Sequence, residues 1–279
     1  MDLEQYRRSS HEIWQQMAAG WDSRRDWMWS VSRQVSEWMV EKLDPRPGQT
    51  ILELAAGTGE TGFAAAARVG ESGRLISTDF APQMVEAAER KARELGLANI
   101  EFRVMDAEQI DLGDDSVNGV LCRWGYMLMA DPAAALSETR RVLRDGGRLA
   151  LSVWGAAEHN PWAALGRRAL EVRGHMRKPE PGDPGIFALG NEERLREVVA
   201  GAGFGSVEIE PVEVEYRFED FEAYWRFLRE LAGAVEMAIR QLSDDERAEA
   251  RGLIEQDVEP FRAGDGYVMP GMALNAVAS

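Results

Sequence analysis

Cysteine occurs once in the 279 residues, as Cys122, so no intramolecular disulfide can form, and the chain suits a reducing compartment such as the cytoplasm. Lysine is nearly as scarce, at Lys42, Lys91 and Lys178, and histidine appears at His11, His159 and His175. The 32 basic residues are outweighed by 48 acidic ones, for a formal net charge of −16. Binding a nucleic-acid backbone depends on clustered Lys and Arg, so this balance excludes a nucleic-acid partner from expectation. No apolar run approaches the ~20 residues of a membrane span, and the opening MDLEQYRRSSHEIW is too polar for a signal peptide. The expectation is a cytoplasmic chain with no membrane partner. Low-complexity tracts and internal repeats are also missing, and PEPGDPG at 179–185 is the clearest loop. With 45% hydrophobic residues, the chain can bury one large core, or a core plus a small appended domain.

What is present is a strand-and-glycine unit. The apolar run from Thr50 to Leu54 predicts a buried strand, and it stops at Ala55-Ala56-Gly57-Thr58-Gly59-Glu60-Thr61-Gly62. Gly57 and Gly59 carry no Cβ, so a ligand can lie against the main chain there, and a following helix offers free N–H groups. That pattern predicts a nucleotide-type site. Gly57-x-Gly59-x-x-Gly62 with Asp79 about twenty residues on also fits dinucleotide binding. Further strands are predicted at Arg74–Thr78, Ile100–Met105, Val117–Cys122 and Arg148–Trp154, the last entered through Asp145-Gly146-Gly147. Helices fall between them, over Pro82–Leu95 and from Asp131 (N-cap) and Pro132 to near Leu143. Such alternation predicts an α/β doubly wound, mostly parallel sheet, with Gly57, Gly59, Asp79, Asp106 and Cys122 arriving at one edge.

In the stretches ELAAGTGETG (53–62), STDFAPQMVEAAERKA (77–92), VMDAEQI (104–110) and ETRRVLRDGGRLALSVW (138–154), the chain resembles the class I S-adenosylmethionine-dependent methyltransferases. The resemblance covers roughly Pro45 to Trp154 and is nearest the branch related to the ubiquinone/menaquinone C-methyltransferases. It implies a seven-stranded Rossmann-like sheet and S-adenosylmethionine as cofactor. Ala55, Gly57 and Gly59 would pass under the methionine part, and Asp79 would accept from both ribose hydroxyls. Phe80 and Met84 would pack on the adenine, Asp106 would accept from its amino group, Ala107 would supply a backbone N–H, and Cys122 would close the set. Ala55 stands where the family usually has glycine, which should narrow the turn without abolishing it. Glu53 is expected to orient the loop through backbone N–H groups.

Two rival readings remain. A nicotinamide-dependent oxidoreductase would explain the glycines and Asp79, but gives no particular use to Asp106-Ala107 and finds no tyrosine–lysine or histidine–acid set for hydride transfer. A non-catalytic cofactor-binding sensor would keep the site without an acceptor pocket. Cys122-Arg123-Trp124-Gly125-Tyr126 lacks the Asn/Asp-Pro-Pro-aromatic element of base-amine methylation and any acidic metal ligand, so metal independence is expected. The lack of a glutamate between Cys122 and Ser137 disfavours arginine methylation, and a single cysteine disfavours arsenic methylation. A small, apolar or aromatic acceptor is left.

The expected organisation is a helical lid segment at 1–43, a cofactor-binding core at 44–218, a helical insertion or lid at 219–265, and the last core strand at 266–279. Ser9 and Glu12 form a capping-box pattern, as do Ser243 and Glu246. Strands six and seven are expected near Ser206–Val214 and Met272–Ala278. Trp14 and Trp38 read as core. Trp21, Trp27 and Trp29 lie where helical periodicity breaks around Gly20, and are candidates for a pocket. Trp21, Trp29, Arg123, Tyr126 and Trp225 form the candidate acceptor pocket, and His159 and Tyr126 are the candidate bases.

Overall fold

The computed structural model describes residues 2–279. Eight strands build its sheet: β1 (Thr50–Glu53), β2 (Arg74–Asp79), β3 (Ile100–Val104), β4 (Val117–Arg123), β5 (Leu143–Trp154), β6 (Val207–Phe218), β7 (Arg262–Ala263) and β8 (Gly266–Ala278). Their order is β3-β2-β1-β4-β5-β8-β6, with the two-residue β7 paired to β8. Pairs from β3 to β5 are parallel, and β8 runs antiparallel to both neighbours. The apolar runs of β1, β4 and β5 are buried on both faces, as a covered parallel sheet requires. Seven strands match the expected sheet; β7 is an added hairpin stub. β6 and β8 extend beyond their expected limits because twelve residue pairs, Val207–Ala278 through Phe218–Tyr267, stay in register.

Ten α-helices accompany the sheet: α1 (Leu3–Ser23), α2 (Arg25–Leu43), α3 (Glu60–Val69), α4 (Pro82–Glu94), α5 (Pro132–Val142), α6 (Pro161–Val172), α7 (Glu192–Gly201), α8 (Phe221–Leu231), α9 (Gly233–Arg240) and α10 (Asp244–Val258). Asp131 caps α5 as expected, and Ser243 with Glu246 forms the full capping box of α10. The first helix departs from expectation. Asp2 accepts from the Glu4 and Gln5 N–H groups and starts α1 there, so Ser9 and Glu12 lie in mid-helix. The helix also runs through Gly20 and Trp21 before breaking at Arg24. No described helix is long and apolar enough to cross a membrane.

The expected 1–43 segment is two different things. α2 packs on β4, β5, β6, β8 and α3, and its Val35 and Met39 are fully buried in the main core. It belongs to the sheet's cover. α1 instead rests on α4, α8 and α9, away from the strands. It spans the carboxyl ends of the strands, where a ligand would lie.

Candidate active site

β1 ends in a turn whose backbone is left-handed at Ala55 (φ 50°), Gly57 (φ 57°) and Gly59 (φ 93°). Ala55 thus holds the conformation that glycine adopts freely, at a cost of about 1–2 kcal/mol. Glu53 braces the turn from below: Oε1 accepts from Gly62 N–H at 2.7 Å and Oε2 from Ser77 Oγ at 3.1 Å. Burial pushes its carboxyl up to about 8 against those donors, so the buried site disfavours its charged form.

Asp79, at the end of β2, accepts from Gly57 N–H and Ala81 N–H, both at 2.9 Å. Nothing in the residue pattern pointed to these internal partners. The carboxylate therefore ties the β1 turn to the start of α4 while still lining the cavity above it. Burial pushes its pKa up to about 6, opposed by those backbone donors.

That cavity holds about 1020 Å³, within reach of a nucleoside-sized ligand and a second molecule. One end is formed by Ala55, Gly57, Asp79, Phe80, Met84, Asp106 and Ala107. Asp106 Oδ1 accepts from Glu108 N–H at 2.9 Å. The other end is aromatic: Trp124 stacks on Trp154 at 4.2 Å, Trp162 on Tyr216 at 4.1 Å, and Phe227 closes against both Trp162 and Tyr216. α1 straps across the first end. Tyr6 Oη donates to Leu128 O at 2.9 Å, the Arg7 guanidinium meets Glu108 at 2.6 Å, and His11 Nε2 lies 3.1 Å from Phe80 O. Glu108 also accepts from Ala130 N–H at 2.8 Å, which joins strap and floor.

Several expected site residues lie elsewhere. Gly59 faces inward: a Cβ there would come within 2.6 Å of Phe63, so its bareness lets α3 close onto the turn. Cys122 points to the face of β4 opposite Arg123, and its buried thiol is pushed up to about 12. Tyr126 is fully buried, with Oη 2.6 Å from Thr139 Oγ1, and does not reach the cavity. Trp225 sits under Arg251, 5.9 Å from its guanidinium, off the cavity wall. Trp29 is half-buried on α2, where the neighbouring Met28 takes the cavity-facing position. Trp27 packs behind the wall on Tyr216, Phe218 and Phe227. His159 is exposed on a short 3₁₀ turn and is no cavity group. Trp14, expected in the core, lines the cavity beside Trp21. Trp38 is half-buried and donates to Glu210 at 2.9 Å.

The chain's residues 45–177 match the family described as a methyltransferase domain. Residues 45–177 thus form a methyltransferase domain. Its relatives include the arsenite methyltransferase of Halobacterium salinarum, 36% identical over 106 residues, which are 38% of this chain and 27% of that protein. The ubiquinone/menaquinone biosynthesis C-methyltransferase UbiE of Klebsiella pneumoniae is 30% identical over 139 residues, 49% of this chain and 55% of that one. The matched stretches thus span about half or less of these relatives' lengths. In fold, the methyltransferase domain and its flanking helices align with the YcgJ protein of Bacillus subtilis at a TM-score of 0.61 and 18% identity, covering 88% of this chain and 97% of that one.

The methyltransferase domain stops short of much of the wall just described. Tyr216 and Phe227 come from β6 and α8, beyond residue 177. α1 lies before residue 45 and carries no motif, so Tyr6, Arg7 and His11 were missed as cavity residues. A helical run with Trp14 and Trp21 seven residues, about two turns, apart was the available signal.

Proposed function

We propose that the protein transfers the methyl group of S-adenosylmethionine to a small apolar or aromatic molecule without a metal. The observation that carries the reading is Asp79, a buried carboxylate at the strand end that lines the cavity directly above the Gly57 turn. There it can accept from two ribose hydroxyls, each a charge-assisted bond of about 1.5–3 kcal/mol. Phe80 and Met84 flank the place an adenine would take, with Asp106 and Ala107 beyond. The aromatic end supports the rest. Trp124, Trp154, Trp162, Tyr216 and Phe227 offer π faces that favour a sulfonium by about 0.5–2 kcal/mol and give a flat acceptor something to stack on.

The sulfonium methyl is already activated, so the protein's task is to hold the acceptor atom close and in line. Alignment of that kind contributes about 7–11 kcal/mol. The test is transfer of labelled methyl from S-adenosylmethionine to a panel of small aromatic acceptors after dialysis against a strong chelator. Transfer that survives dialysis supports the reading. Transfer lost on dialysis and restored by magnesium would overturn its metal independence, and protein that binds the cofactor but labels no acceptor would favour a sensor.

A further inference from the structure

The aromatic end of the cavity contains hydrogen-bond donors with nothing to donate to. Arg123, the last residue of β4, gives its Nε to Thr61 Oγ1 at 2.9 Å and lies 4.5 Å over the Trp124 ring. Its Nη1 is buried and has no partner. Tyr216 Oη, Trp124 Nε1 and Trp21 Nε1 are likewise buried and unpartnered, and all four side chains line the same cavity. Tyr216 is fully buried and Trp124 is 6% exposed. Arg123 and Tyr216 are also neighbours electrostatically, since the Arg123 charge opposes the rise that burial imposes on the phenol.

Three other arginines that line the cavity, all more exposed, have carboxylate partners. Arg7 meets Glu108, Arg167 meets Glu171 and Arg177 meets Asp183. Among the described residues, Arg123 forms no ion pair within 4 Å. Glu60 and Glu53 are near enough to favour its charge, but Glu60 also faces Arg25 at 3.4 Å and burial disfavours the charged form of Glu53. Buried polar groups in folded proteins nearly always find partners, and a buried charge almost without exception. Arg and Trp nitrogens can only donate. What is missing is therefore an acceptor-rich anion, and a guanidinium fork matches the two oxygens of a carboxylate.

Taking the methyltransferase reading as its basis, we infer that Arg123 and Tyr216, with the Trp124 indole N–H beside them, form a carboxylate-binding subsite at the aromatic end of the cavity. The carboxylate has two possible owners: an aromatic acceptor acid stacked against Trp124, Trp154 and Trp162, or the methionine end of the cofactor.

Calorimetric titration of the full chain separates them. The probes are 2-naphthoate against 2-naphthamide, with S-adenosylhomocysteine saturating, and S-adenosylhomocysteine against 5′-methylthioadenosine, which lacks the amino-acid end. The wild type should prefer the acid of the owning pair. Arg123→Gln should weaken that acid about ten- to a hundredfold and leave its neutral counterpart unchanged. Arg123→Lys should restore part of the loss, and Tyr216→Phe should lose less than Arg123→Gln. Loss confined to naphthoate assigns the subsite to the acceptor, and loss confined to S-adenosylhomocysteine assigns it to the cofactor. A wild type that prefers neither acid, or preferences that survive in the folded Arg123→Gln and Tyr216→Phe variants, overturns the subsite. Failure of the wild type to bind either nucleoside would instead count against the methyltransferase reading, and naphthoate titrated alone would still test Arg123.

Discussion

Asp79 performs two tasks with one carboxylate, and they should separate by experiment. Two backbone donors hold it in the unliganded protein, so Asp79→Ala should cost about 1–3 kcal/mol of stability besides weakening S-adenosylmethionine binding more than tenfold. Calorimetry on the folded variant reads both, and unchanged affinity would remove Asp79 from the site. Burial holds its pKa near 6, above the usual 3.8. Hydroxyl donors need the ionised form, so cofactor affinity should rise from pH 5 to pH 7 with release of a proton, and a flat profile would contradict the assignment. Glu53 makes the complementary case. Its folded pKa near 8 lies above the usual 4.5, so its contribution to stability is present below about 4.5 and is lost as pH rises through 8. Glu53→Gln keeps the shape without the charge. It should fold, and its stability relative to wild type should gain on the order of 2 kcal/mol between pH 6 and pH 9. Urea melts at the two pH values are the check. The positions of Glu53 and Asp79 were legible because an acid at a strand end beside a glycine turn is a local pattern. The partners of Asp79 and the inward face of Gly59 were not, because they depend on how α3 and α4 close onto that turn.

At the scale of elements, the two N-terminal helices should behave differently. α2 fills the core with Val35 and Met39, whereas α1 is held over the cavity by Tyr6, Arg7 and His11 and touches α8 where Gly20 passes the Glu230 carbonyl. A Cβ on Gly20 would approach that oxygen to 2.3 Å, so the two helices meet only because the residue is bare. Amide exchange should show α1, α8 and α9 opening below the global free energy and gaining protection with S-adenosylhomocysteine. α2 should be protected throughout. Equal, high protection of α1 with and without ligand would make it a fixed wall. Periodicity revealed both segments as helical, but it could not divide them by task. The Ser9/Glu12 pattern also suggested a helix start that Asp2 supplies instead, because a capping sequence acts only where the backbone is not already helical. The α10 box at Ser243 and Glu246 was legible because Gln241 and Leu242 leave the helix path just before it.

For the whole molecule, the parallel half of the sheet could be read in advance, since strands that alternate with helices have few arrangements open to them. The aromatic chamber could not, because Trp124, Trp154, Trp162, Tyr216 and Phe227 are spread over more than a hundred residues and meet only when β6 and β8 close the sheet's edge. The central claim, a chamber built for S-adenosylmethionine rather than a nicotinamide dinucleotide, has a direct test in thermal melting with each ligand in excess. At a hundred times its dissociation constant a ligand adds about 2.7 kcal/mol to stability, several degrees in melting temperature. S-adenosylmethionine and S-adenosylhomocysteine should both raise the melting temperature of the wild type, and NAD should leave it unmoved. A shift with NAD and none with either sulfur nucleoside would contradict the account.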